Sequence, residues 1–211
     1  HSLDRRQRQM CIRDRNSYNI VAVYTRPSQK SHRGQKINKS PIQGISETLN
    51  INYRTPKTLN DNQEEYEFLK KLNADLAIVC AYGQIIPENF LNLTKKGFVN
   101  VHASILPSWR GAAPIQRSIM NLDPETGISI MKIKKELDSG PVSNIYKIKI
   151  DQNQNAQEIS EKLSALAAKK ILDNVDDILE DKAKFIDQDH SKATYAKKID
   201  KEESRIDWDE D

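Results

Sequence analysis

The residue type that would fix a covalent or metal-bound scaffold is scarce: Cys11 and Cys80 are the only cysteines among 211 residues. Two cysteines make neither a disulfide framework nor a metal-ligand spacing, and no metal is predicted. Cys80 lies in an apolar run, where a buried thiol is the ordinary expectation. Long hydrophobic runs are lacking too. The longest, residues 76–82, is far too short to span a bilayer. The basic opening residues carry no apolar stretch or small-residue cleavage site, so no secretory signal is read there. Internal repeats and low-complexity tracts are also missing. What remains is a polar chain, 37% hydrophobic with a mean hydropathy of −0.73. That composition fits a reducing compartment, the cytoplasm, and a length that buries one main core.

Strand-like and helix-like segments alternate. Residues 19–24 (NIVAVY) read as a short buried strand. Ser40-Pro41 marks a helix start, with proline in the first turn, running to about residue 49. Residues 61–72 have helical spacing at Tyr66, Leu69 and Leu72. Residues 76–81 (LAIVCA) predict a strand buried on both faces, and 98–101 the next one. A helix over 112–120 and strands over 126–133 and 142–150 follow. The last helix opens on Asn155 and Glu158 in capping-box positions, with Ile159, Leu163, Leu166, Leu172, Val175 and Leu179 on one side. This order predicts an α/β domain with a largely parallel sheet, whose ligands bind beyond the carboxyl ends of the strands, after Ala81 and after Val101.

The net charge of +3 is unevenly spread. Arg26, Lys30, Arg33, Lys36 and Lys39 share a stretch without an acid, whereas Asp207, Asp209, Glu210 and Asp211 crowd the end. On composition alone, a solvated loop and a solvated tail account for both. The ends also depart from the alternating pattern. Residues 1–15 have no periodicity and read as a leader foreign to the fold. Residues 16–180 read as the domain, and 181–211 as a linker towards something further.

Chemistry concentrates between residues 98 and 140. Asn100 and His102 stand two apart at a strand end and so share a face. Asp138 follows in Asp-Ser-Gly. An amide, a histidine and a carboxylate can together run acyl transfer to an amine: a donor for the oxyanion, a group that moves or stabilises charge, and a proton acceptor. Each has a plainer reading. The histidine could be a satisfied core residue, Asp-Ser-Gly a turn, and Asn100 a side chain tying down its own loop.

In order and spacing, Asn100, His102 and Asp138 resemble the Asn-x-His and distant Asp of the folate-dependent formyltransferases. Ser104, Ile105, Leu106 and Pro107 are similar to that family's Ser-Leu-Leu-Pro folate loop. Tyr82, Gly83, Gln84, Ile85 and Ile86 resemble the segment lining its pterin pocket. The resemblance implies a Rossmann-like formyltransferase fold, 10-formyltetrahydrofolate as formyl donor, no metal, and Asn100, His102 and Asp138 as the catalytic set. The core is shared by enzymes acting on glycinamide ribonucleotide, on sugar nucleotides, or on 10-formyltetrahydrofolate itself.

Three further stretches are similar to the branch that acts on initiator methionyl-tRNA in translation initiation. They are Trp109 to Arg117 (WRGAAPIQR), the basic loop with Arg26-Pro27 and Arg33-Gly34-Gln35-Lys36, and Thr194-Tyr195-Ala196 with Ile206-Asp207-Trp208. For that branch the resemblance implies a soluble monomer that contacts tRNA through Arg26, Lys30, Arg33 and Lys36. It also implies a first strand, a glycine turn and a helix before residue 19, and a β-barrel beyond residue 208; none of these is seen in the sequence. A fragment that holds folate or RNA without turnover is the alternative from a different class.

Overall fold

The computed structural model of the chain describes residues 18–30 and 37–204, with backbone alone at 29, 30, 37, 38 and 204. Cys11, Arg33, Lys36, the leader and the acidic tail lie outside the described residues, as does the side chain of Lys30.

The chain begins with β1, Val23–Tyr24, followed by a short antiparallel hairpin of β2, Gln29–Lys30, and β3, Ile37–Asn38. Helix α1, Pro41–Thr48, starts where expected, because the Ser40 hydroxyl accepts from the Gln43 N–H and proline fills the first turn. β4, Tyr53–Arg54, then pairs in parallel with β1. The strand expected over 19–24 thus condenses to its last two residues. Its ladder bonds run to β4, with Val23 N–H on Asn52 O at 2.8 Å and Thr25 N–H on Arg54 O at 3.0 Å. Helix α2, Gln63–Leu72, starts later than residue 61 because Asp61 sits in the left-handed region at φ 52° and Asn62 serves as cap. Glutamates in its first turn and lysines in its last complement the helix dipole.

The main sheet and its helices follow: β5, Ala77–Val79; α3, Glu88–Leu91; β6, Phe98–His102; β7, Arg110–Gly111; α4, Pro114–Met120; β8, Glu125–Lys132; β9, Val142–Lys149; and α5, Ala156–Leu179. Four strands form one sheet in the order β5-β6-β8-β9, with β5·β6 parallel and both pairs of β8 antiparallel. The expectation of a strand at 76–81 buried on both faces fails. β5 is an edge among the described strands, and Ile78 is 41% exposed. β1 and β4 form a separate ladder.

Helix α5 supplies the core. Its capping box forms as read: Asn155 Oδ1 accepts from the Glu158 N–H, and Glu158 Oε2 from the Asn155 N–H. Ile159, Leu163, Ala167, Ile171, Val175 and Ile178 pack onto Val99, Val101, Ile128 and Ile130. Leu166, Leu172 and Leu179 flank that stripe half-buried. Ile159, Leu163 and Val175 are buried as expected, whereas Ala167, Ile171 and Ile178 take the central places expected for Leu166, Leu172 and Leu179.

The described residues beyond 181 pack back on the domain. Ile186 bridges Val142, and β10, Tyr195–Ala196, pairs in parallel with β7. Arg117 in α4 holds the next stretch, donating to the Lys197 and Lys198 carbonyls and to both Glu203 carboxylate oxygens. The Arg117 guanidinium in turn holds the Glu203 carboxyl down at about 2. Arg117→Ala should therefore release residues 197–203. Limited trypsin digestion should cut after Lys197 or Lys198 several-fold faster, and an unchanged digestion pattern would count against this docking.

Candidate active site

β6 lies between β5 and β8 and carries Asn100 and His102 near its carboxyl end, opposite Met131 and Ser129 of β8. Alternation along the strand puts both side chains on one face, as expected. Val99 and Val101 point the other way into the α5 core. The amide of Asn100 is half-buried and has no hydrogen-bond partner among the described residues. It therefore does not tie down its own loop, and it is available as a donor.

His102 is 6% exposed and its ring is held on both sides. Nε2 lies 2.9 Å from the Trp109 carbonyl oxygen, which can only accept, so Nε2 carries a proton. Nδ1 lies 3.5 Å from Asp138 Oδ2. With Nε2 protonated, that contact is attractive only while a proton also lies between Nδ1 and the carboxylate. His102 and Asp138 therefore form a pair built to hold one proton. Asp138 sits in the left-handed region at φ 47°, and its Oδ2 also accepts from the Gly111 N–H at 2.9 Å.

The loop from 103 to 111 is fixed internally. The Ser104 hydroxyl donates to Ser108 O at 2.6 Å. Ser129 Oγ donates to Ser104 O and accepts from the Leu106 N–H. Ser104 is fully buried and Leu106 is 4% exposed. The Leu106–Pro107 peptide is cis. Of the expected folate loop, Ser104 and Leu106 thus build the loop, while Ile105 packs close over Gly127 of β8. Trp109, at φ 60°, is pinned by its indole N–H on Asp123 Oδ2 and by its backbone N–H on Thr194 Oγ1.

The second expected wall follows β5. Tyr82 is buried beside Leu59 and Phe90, Ile86 packs on that cluster, and Ile85 is 87% exposed. Gln84 donates to the Pro56 carbonyl at 3.0 Å, and its buried Oε1 has no hydrogen-bond partner among the described residues. Arg26 lies here, not out along the basic loop. Its Nε donates to Tyr82 O at 3.1 Å and its Nη2 to Gly83 O. Gly83 sits at φ 70°, where a Cβ would meet that guanidinium.

A recess of about 890 Å³ is lined by Glu136, Ser139 and His190 among others, but by none of the three candidate residues. Four of its five lysines face carboxylates, Lys95 on Asp75, Lys96 on Asp181, Lys134 on Asp187 and Lys135 on Glu88, while Lys132 sets its ammonium over the Phe185 ring. Among the described residues no cluster of His, Cys, Asp and Glu could hold a metal, and no helix is long and apolar enough to cross a membrane.

Sequence reasoning missed the backbone groups of Trp109 and Gly111 and the side chains of Arg110, Gln188 and Thr194 that surround the pair. Gln188 and Thr194 lie in a polar stretch without periodicity, and nothing in the sequence joins them to residues far upstream.

Comparison with known proteins places these features in context. A formyl transferase family profile matches residues 3–175. The methionyl-tRNA formyltransferase of Pelagibacter ubique is 65% identical over 192 residues, covering 91% of this chain and 62% of that protein. That of Dictyoglomus turgidum is 44% identical over 190 residues, covering 90% and 60%. The chain thus spans about three-fifths of the length of these relatives. Among solved structures, phosphoribosylglycinamide formyltransferase from Anaplasma phagocytophilum superposes with a TM-score of 0.69 at 19% identity, covering 85% of this chain and 83% of that one. The formyltransferase PseJ from Anoxybacillus kamchatkensis, solved with a sugar nucleotide and tetrahydrofolate, gives 0.62 at 22%, covering 87% and 88%. At such identities the likeness concerns the fold.

Proposed function

The chain belongs to the formyl transferase family, and from that premise we propose that it moves a formyl group from 10-formyltetrahydrofolate to the α-amine of methionine on initiator tRNA. The observation that carries this reading is the convergence of an unpartnered Asn100 amide with the His102–Asp138 proton pair at the end of β6.

An α-amino group titrates near about 7.7–8.0 and must lose a proton to attack. In this reading the Asp138 carboxylate takes that proton on Oδ1, while the proton shared with His102 stays at Oδ2, and the carboxylate returns one to N10 as it leaves. The Asn100 N–H groups stabilise the oxyanion that forms on the formyl carbon. In this reading Nε2 of His102 joins Asn100 at the oxyanion by leaving the Trp109 carbonyl. The folate donor fits the wall after β5: the orphaned Gln84 Oε1 is an acceptor for pterin N–H groups, and exposed Ile85 offers apolar cover. The loop over residues 104–107 closes the opposite side.

For the acceptor, the similarity to the Pelagibacter and Dictyoglomus enzymes favours charged tRNA. The basic hairpin supports it, because a sugar nucleotide or water needs no polycationic segment. Lys30, Arg33 and Lys36 are assigned to tRNA phosphates, and Arg26 to steadying the pterin wall. The protein is taken to act as a cytoplasmic monomer.

The reading is tested by giving a version extended to the length of its relatives 10-formyltetrahydrofolate and charged initiator tRNA, then scoring formyl-methionine. Formylation of a sugar nucleotide instead, or bare hydrolysis, would move it to another branch. Replacing Arg33 and Lys36 together by Ala should raise KM for charged tRNA and flatten its salt dependence by about two phosphate contacts' worth. KM for the folate should stay put. Indifference of tRNA binding to both changes would return the loop to a solvated surface.

A further inference from the structure

Arg110 is 2% exposed, and among the described residues its guanidinium meets no carboxylate. Its Nε and Nη2 both donate to Gln188 Oε1, at 3.1 and 2.7 Å, and Nη2 also lies 3.3 Å from His190 Nδ1. A buried cation normally takes a carboxylate. A neutral amide here does something a carboxylate cannot, because its other end is a double donor. Gln188 Nε2 donates to Asp138 O at 2.9 Å and to Gly140 O at 2.7 Å. The orientation of this amide is fixed by its surroundings, since a flip would set NH2 against the guanidinium and oxygen against two carbonyls.

The carbonyls it holds flank the bend that carries the candidate proton acceptor. Asp138 is left-handed at φ 47°, a conformation that persists only where its surroundings enforce it. Arg110 and Gly111 therefore reach Asp138 twice: the Gly111 N–H directly on the carboxylate, and the Arg110 side chain on the main chain through Gln188. Gln188 comes from the segment after α5, whose Thr194 and Ala196 also bond to Trp109, Arg110, Ala112 and Ala113.

We propose that Gln188 is a positioning residue of the active site, clamping the Asp138 bend to Arg110 so that the carboxylate faces His102. The segment over 188–196 is then part of the catalytic machinery as well as a connection. The proposal rests on the formyl-transfer reading for its kinetic test, but its geometry can be read without turnover.

The experiment compares Gln188→Glu and Gln188→Met in the extended protein. Glu keeps an acceptor for Arg110 and loses both donors to the bend; Met keeps the shape and loses everything. If Gln188 merely satisfied a buried guanidinium, Glu would behave as wild type. If it positions Asp138, both variants lower kcat by about 10-fold to 10²-fold, because a small misplacement of a reacting group costs that much. KM for the folate should hold within about twofold, since Gln188 touches neither pterin wall. Nitrogen NMR of the His102 imidazole should show the ring signals displaced in Gln188→Glu. A Gln188→Glu protein with wild-type kcat and an unmoved His102 signal overturns the proposal. If Met prevents folding, the Glu variant decides. Should the wild type itself fail to formylate charged tRNA, the functional reading falls, and the His102 signal still decides the role of Gln188.

Discussion

Asp138→Asn is expected to lower kcat by about 10²-fold or more, with folate affinity unchanged and cooperative unfolding retained. The carboxylate accepts from the Gly111 N–H and faces His102 Nδ1 through the same oxygen. An asparagine oxygen in that place can still accept both bonds, so the bend and the imidazole should stay where they are. What it cannot do is take a proton from the amine. Nor can it balance the charge of an imidazole whose other nitrogen already carries a proton towards Trp109. The loss should therefore appear in kcat and in kcat/KM alike, the pattern of an interaction made in the transition state. His102→Ala should cost at least as much, and it also strips the Trp109 carbonyl of its donor. The two losses should not add, because the residues share one proton. Rapid-quench measurement of a single turnover separates this from slow product release. A near-normal chemical step in Asp138→Asn would sink the mechanism.

The residues that were legible in the sequence share a physical reason. Asn100 and His102 are fixed by strand alternation, and the Asn155–Glu158 capping box by local backbone geometry. Both follow from a few neighbouring residues. The edges of the fold were less legible. Apolar content at 76–81 looked like a strand covered on both sides, yet Ile78 is half open because a strand's neighbours are set by topology, which local composition does not encode. The charge of Arg26 suggested a place on the basic loop, whereas two backbone carbonyls beyond β5 hold its side chain. Gln188 was invisible for a related reason. Its three strongest bonds cross about fifty to eighty positions of chain, and two of them end on main-chain oxygens that every residue possesses. The resemblance to a family supplied Asp138; spacing alone would have left it a turn.

Gly140→Ala is expected to damage both stability and turnover, although it adds one methyl group in a segment that reads as an ordinary Asp-Ser-Gly turn. A Cβ on Gly140 would lie 1.9 Å from the Lys132 carbonyl oxygen and 3.0 Å from its carbon. Those are backbone atoms of β8, the strand that pairs with both β6 and β9, so no side chain can swing away to make room. The Lys132 N–H donates to Pro141 O at 2.9 Å, which locks the bend against the strand at the clashing point. Relief requires the bend over 138–141 to lift. That breaks the Pro141 bond, pulls Gly140 O away from Gln188 Nε2 and turns the Asp138 carboxylate from His102. Overpacking of this kind typically costs about 1–3 kcal/mol, a large share of the roughly 5–15 kcal/mol that holds a domain together. A drop in melting temperature of several degrees should accompany a fall in kcat of about 10²-fold or more, with folate binding lost less than turnover. Gly44→Ala is the control: it lies within α1 with nothing inside 4 Å of the added Cβ, and there the same methyl should be neutral or slightly stabilising. If Gly140→Ala melts and turns over like the control, the bend is not pressed against β8, and Asp138 does not depend on that contact for its position.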